Sequence, residues 1–235
     1  MRKRDPNAVI DQFQAELAST LADWRVLTGS TLGKVARRAT MDASARAAVA
    51  FERFRSDWHI AAITRDASVF SATQLNRAKE ALKETKRDSL APFIQVTIPT
   101  HPTLDQVGAL LDATGSNVSL PNIGAWKKKA KVQLADPWVG KVTGISWRHE
   151  VAADAVIAIR NAASHQSDRS LSDMNAALAK LTDPAAHRGL LRPANRVTLT
   201  GTGIPAYLHG SIPGRPPRVE TYVDLLERLS GTLRV

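Results

Sequence analysis

The stretch ISWRHEVAADAVIAIRNAASH, residues 145–165, decides how this chain folds. At about 100° per residue, Val151, Ala152, Ala155, Val156, Ile159, Ala162 and Ala163 fall on one half of a helical wheel. The other half holds His149, Glu150, Asp154, Arg160, Asn161, Ser164 and His165, with Ile157 among them. One apolar stripe over five turns predicts a helix packed against others, with its polar face turned away from the core seam.

The reading extends outward from there. Ser170 opens a Ser-x-x-Asp capping pattern, and Leu171, Met174, Leu178 and Leu181 give the next helix its buried side, which Thr182-Asp183-Pro184 closes. Towards the N-terminus, Val9, Phe13, Leu17, Leu21 and Trp24 predict a helix over 7–28, and Gly29 and Gly33 mark a break. A second helix is expected from Asp42 to about Ile63, with Phe51, Phe54, Trp58 and Ala62 inward. A third is expected over 71–86, with Leu75, Ala78 and Leu82 on one side. Residues 90–99, bounded by prolines and rich in β-branched side chains, read as extended, and a short helix follows Pro102. Residues 114–124 read as loop. The chain therefore divides into N-terminal bundle helices (1–88), an insertion (89–144) and a motif-bearing part (145–235). Val197, Leu199 and Gly201-Thr-Gly203 suggest a short strand or β-hairpin near the C-terminus, and Val219–Leu229 a last helix. The sum is a mainly α, single-domain chain.

Composition narrows the function classes. With no cysteine, disulfide frameworks and Cys-ligated zinc are excluded. Met1-Arg-Lys-Arg-Asp-Pro6 is not followed by an apolar run, and the most apolar window, 151–159, is short and holds Asp154. No targeting segment or membrane span is expected, and a cytoplasmic protein is the simplest reading. Thirty-two Lys and Arg against 22 Asp and Glu leave a formal charge of +10, which favours polyanionic partners without separating RNA from DNA. Trp126-Lys127-Lys128-Lys129-Ala130-Lys131 puts an aromatic beside a basic run. Trp126, Lys127, Lys128 and Lys131 are thus candidates for stacking a base and following an RNA backbone.

The chemistry concentrates in Arg160-Asn161-Ala162-Ala163-Ser164-His165. An arginine can neutralise a phosphoryl oxygen, an amide can orient a neighbour, and a histidine can move protons near neutral pH. Such a trio can cleave RNA without a metal or other cofactor. A looser match, Arg53 to His59, carries Phe54 in the polar slot and reads as structural. His149-Glu150 with Asp154 lacks a second histidine for a metal site and reads as a solvated face.

The Arg-Asn-x-x-x-His run near the end of a core helix, with another helix after it, resembles the signature of the HEPN superfamily, whose nuclease members include RNA-cleaving toxins and antiphage proteins. The resemblance covers mainly residues 145–181. Several branches carry an aromatic two positions after the histidine, where this chain has Ser167. The resemblance implies an antiparallel helical bundle and an endoribonuclease in which the 2′-hydroxyl attacks the adjacent phosphate to leave a 2′,3′-cyclic end. His165 would serve as general base or acid, Arg160 would stabilise the transition state, and Asn161 would orient the histidine or the phosphate. Ser164 and Arg169 are supporting RNA contacts. It also implies a homodimer, so that two histidines share one cleft, and an antitoxin or regulatory partner. Two other readings stay open: a non-catalytic HEPN-like module that docks RNA, nucleotide or protein, and a basic DNA-associated helical protein.

Overall fold

The computed structural model describes residues 4–30, 33–84, 102–111, 120–181, 198–211 and 214–235. Its regular structure is ten helices: α1 (Pro6–Ser30), α2 (Lys34–Arg65), α3 (Ser68–Glu84), α4 (Leu104–Leu111), α5 (Ile123–Gln133), α6 (Trp138–Thr143), α7 (Trp147–His165), α8 (Asp168–Lys180), α9 (Ile204–His209) and α10 (Arg218–Gly231). None of these helices is long and apolar enough to cross a membrane. The extended segment expected at 90–99 lies outside the described residues.

The three- and four-residue spacing of α1 buries Val9, Ile10, Phe13, Leu17 and Trp24. Asp5 starts the helix by accepting the Asn7 amide at 3.0 Å, and Pro6 sits where its missing N–H is no loss. Gly33, at φ 66°, opens the turn into α2. That helix begins eight residues before the expected Asp42, because no breaker interrupts 34–41 and their inner face finds partners. Ala36 and Thr40 are buried, and the Trp24 indole N–H donates to Thr40 Oγ1 at 2.9 Å. Ion pairs Asp23–Arg46, Glu16–Arg53 and Asp57–Arg4 climb the pair and fix it as antiparallel. Between the helices Phe13 stacks on Phe54, with ring centres 4.4 Å apart, beside Phe51.

Helix α10 also runs antiparallel to α1, linked by Arg25–Glu220 at one end and Arg234–Asp11 at the other. It packs on α7 as well, burying Tyr222, Val223, Leu226 and Leu229. Helix α7 ends at Gln166, whose left-handed φ of 48° reverses the chain into α8. The cap of α8 is Ser167, not Ser170: Ser167 Oγ accepts the Ser170 amide at 3.2 Å, so Ser170 lies inside the first turn.

The middle segment contributes to the bundle's core: Val107, Ile123, Trp126 and Val142 are all fully buried in the main apolar cluster. One sequence expectation meets a different outcome: no hairpin occurs over 198–211. Gly201–Gly203 is a 3-10 turn leading into α9, whose Ile204, Tyr207 and Leu208 are buried at helical spacing. Leu199 needs no strand partner because the Asn175 side chain accepts its N–H at 2.9 Å and donates to its carbonyl at 3.0 Å.

Candidate functional site

The 19-residue helix α7 carries the motif at its C-terminal end. Asn161 and His165 are one turn apart and project the same way, whereas Arg160 lies about 140° round the helix from His165. The chain therefore splits the trio between two surfaces.

Asn161 and His165 line a groove of about 600 Å³ between α7 and α8. Asp154, Ile157 and Ala158 continue its wall along α7. Arg169, Ser170, Asp173, Ala176, Ala177 and Lys180 form the α8 side, with Pro121 and Asn122 at the far end. His165 and Arg169 are exposed, and Arg169 makes no ion pair with any described residue, which leaves its guanidinium available to an anion. Ile157, assigned to the polar half by the wheel, is 5 % exposed: the bundle wraps further round α7 than one apolar stripe implies.

Arg160 points elsewhere. Its Nη2 pairs with Glu52 on α2, and its buried Nε makes no hydrogen bond to a described residue. Glu52 also faces Arg55, which is almost wholly buried with its guanidinium 4.9 Å from the Phe51 ring centre. Burial pulls the Arg55 pKa down to about 10, against the opposing pull of Glu52 and Asp154. One carboxylate thus serves two arginines behind the groove wall.

Asp154 couples the groove to α5. Its Oδ1 accepts the Ile123 N–H at 2.9 Å, and burial raises its pKa against that bond. A turn earlier, Glu150 takes Lys127 Nζ at 2.6 Å, and the same ammonium donates to the Ile145 carbonyl at 2.8 Å. The face of α7 expected to be solvated is therefore a docking face for α5.

That docking removes two of the residues proposed from sequence to bind RNA. Trp126 is fully buried, edge-on to Trp58 at 5.8 Å, and its indole N–H donates to His59 Nδ1 at 3.2 Å, so it has no free face for a base. Lys127 is engaged with Glu150 and Ile145. Lys128 and Lys131 are exposed and make no ion pair with a described residue; Ser164 is exposed at the end of α7 but does not line the groove. Spacing could have found Asp154, Ala158, Asn161 and His165 as one i, i+4, i+7, i+11 row, and Arg169 and Lys180 about three turns apart on α8. Nothing local marks Glu52, whose role depends on a partner 108 residues away.

His209 ends α9 with its Nδ1 3.1 Å from Thr40 Oγ1. His101 and His187 lie outside the described residues. A slightly larger groove between α1 and α10 is lined by Arg25, Arg215 and Arg228 against Glu220, Asp224 and Glu227, so its formal charges balance, with Arg25–Glu220 and Arg228–Asp224 joined as ion pairs. Among the described residues no three His, Cys, Asp or Glu side chains come together as a metal site. No family model matches the sequence, and no curated relative or solved structure matches it either.

Proposed function

We propose that the chain is a HEPN-type, metal-independent endoribonuclease acting in the α7–α8 groove. The observation that carries this reading is that Asn161, His165 and Arg169, an amide, an imidazole and a guanidinium with no ion pair to a described residue, line one open groove. His165 takes the proton of the RNA 2′-hydroxyl as that oxygen attacks the adjacent phosphorus. The bond to the 5′-oxygen breaks, the leaving oxygen gains a proton, and the products are a 2′,3′-cyclic phosphate and a 5′-hydroxyl. A second proton carrier belongs on the opposite side of the phosphorus, and His165 of a second copy would supply it in a homodimer.

Arg160 requires a changed role. Held by Glu52, it reaches the groove only if that pair opens, so the charge on the transition state falls first to Arg169, with Arg160 fixing the packing of α7 on α2. The same pairing favours a second reading, a HEPN-like module that binds RNA without cutting it. A restraining antitoxin or regulatory partner fits the nuclease reading, since an open groove needs control in the cell.

The two readings separate on purified protein incubated with single-stranded RNA in EDTA. Cleavage to cyclic phosphate ends, sparing of a deoxy substrate and loss of cutting in a folded His165→Ala variant are expected. Binding without cleavage in both proteins would select the module. Cutting of fully deoxy substrate would eliminate 2′-hydroxyl chemistry.

A further inference from the structure

The nuclease groove occupies only part of a longer row on α7. Trp147, Glu150, Asp154, Ala158, Asn161 and His165 follow one another at intervals of three or four residues, so they share one side of the helix. The last four line the groove. Trp147, at the other end, lies about 27 Å from His165 along the helix axis.

Trp147 is unusual among the five tryptophans. Trp24, Trp58 and Trp126 are buried and Trp138 half-buried, whereas Trp147 is 46 % exposed at the first position of its helix. A large aromatic surface left in water is informative where a single exposed valine is not. The basic run of α5 is tied to the same end of α7. Lys127, anchored between the Ile145 carbonyl and Glu150, fixes the basic run of α5 beside the start of α7 and neutralises the acid next in the row. Lys128, next to it, and Lys131, a turn beyond, stay exposed without ion pairs to described residues. An exposed flat ring on α7 and exposed ammonium groups on the helix tied to its start suit a base and its phosphates.

We infer that Trp147, with Lys128 and Lys131, forms a base-stacking subsite for single-stranded nucleic acid at the far end of the α7 row. The proposal rests on the nuclease reading only for which strand is bound; stacking itself does not require cleavage. The subsite also returns to the α5 basic run the aromatic partner that Trp126, being buried, cannot be.

The test is equilibrium binding of a labelled, uncleavable deoxy-oligonucleotide of about 12 residues to the full chain, beside cleavage of the matching RNA. Trp147→Ala should weaken binding about 10-fold, Trp147→Phe should restore most of it, and Lys128→Ala with Lys131→Ala should flatten its salt dependence. Far-ultraviolet circular dichroism and the melting temperature should stay at wild-type values, since the ring is exposed. Loss of binding in a protein that never cuts RNA would keep the subsite and remove the nuclease. Intact cutting with unchanged binding in Trp147→Ala would do the reverse. Oligonucleotide binding unaffected while a dimer falls apart would assign the indole to a chain–chain contact and overturn the subsite. So would a wild-type protein that binds no oligonucleotide.

Discussion

His59 is fully buried, and its hydrogen bonds set its state. The Trp126 indole can only donate, so His59 Nδ1 accepts; the proton sits on Nε2 and is donated to Gln133 Oε1 at 2.8 Å. Burial, with a smaller push from Lys129 and against the Gln133 bond, lowers the pKa to about 4. A depressed pKa means that the unfolded chain takes up the proton first. The stability contributed is present above the unfolded value near 6.5 and drains away as pH falls towards 4, by about 3 kcal/mol in all. Urea titrations at pH 7 and pH 4.5 should show this loss, and His59→Gln, which keeps a donor and an acceptor but cannot titrate, should lose less than wild type over the same interval. Equal slopes for the two proteins would refute the assignment. Glu52 offers a second test. Changing it to Gln leaves the Arg55 and Arg160 guanidinium groups without their shared counter-charge, at a cost of about 1–2 kcal/mol once partial exposure of the pair is allowed for. An unchanged denaturation midpoint would mean that the pair contributes nothing. That Asn161 and His165 share a side of one helix was legible in their spacing; the direction of Arg160 was not. A five-residue interval already separates it from His165 on the helix, but which neighbour receives it depends on how α2 lies against α7.

At the scale of elements, α1, α7 and α10 were readable to within a few residues because each carries an apolar period that its packing honours. What failed was the division of labour between faces. Trp126-Lys-Lys-Lys looks like a surface run, yet α5 turns Ile123, Trp126 and Ala130 inward at helical spacing and leaves Lys128 and Lys131 outside. A run of adjacent residues never shares one face of a helix, so the aromatic and the lysines had to part. The consequence is measurable. Trp126→Ala removes a fully buried ring and its bond to His59 and should cost about 3–5 kcal/mol, whereas Lys128→Ala should stay within about 0.5 kcal/mol. Comparable losses from both would place the indole at the surface after all. The C-terminal hairpin failed for a related reason. Asn175 supplies both halves of a backbone partner for Leu199, so a short extended piece persists without a second strand.

At the scale of the molecule, the proposed cleavage moves two protons. Among the described residues of one chain His165 is the groove's single imidazole, and Arg160 is tied to Glu52 on the other side of the helix. A two-fold pairing that brings two copies of the α7 terminus together would give one cleft two imidazoles and two copies of Arg169. Ile157 contributes nothing to such a contact, since it is already buried within its own chain, so the interface must draw on the exposed residues around His165, Ser164 and Arg169. Mixed dimers decide the matter. If both histidines are needed, wild-type protein allowed to exchange subunits with an equal amount of His165→Ala should retain about one quarter of the activity of an all-wild-type sample, because only dimers with two intact copies work. If one chain suffices, about one half should remain, and further excess of the variant should lower activity in proportion to dilution. A linear fall would end the composite cleft and leave the second proton carrier to be sought within the chain, where Asp173, on the α8 side of the groove, is the acid to substitute next.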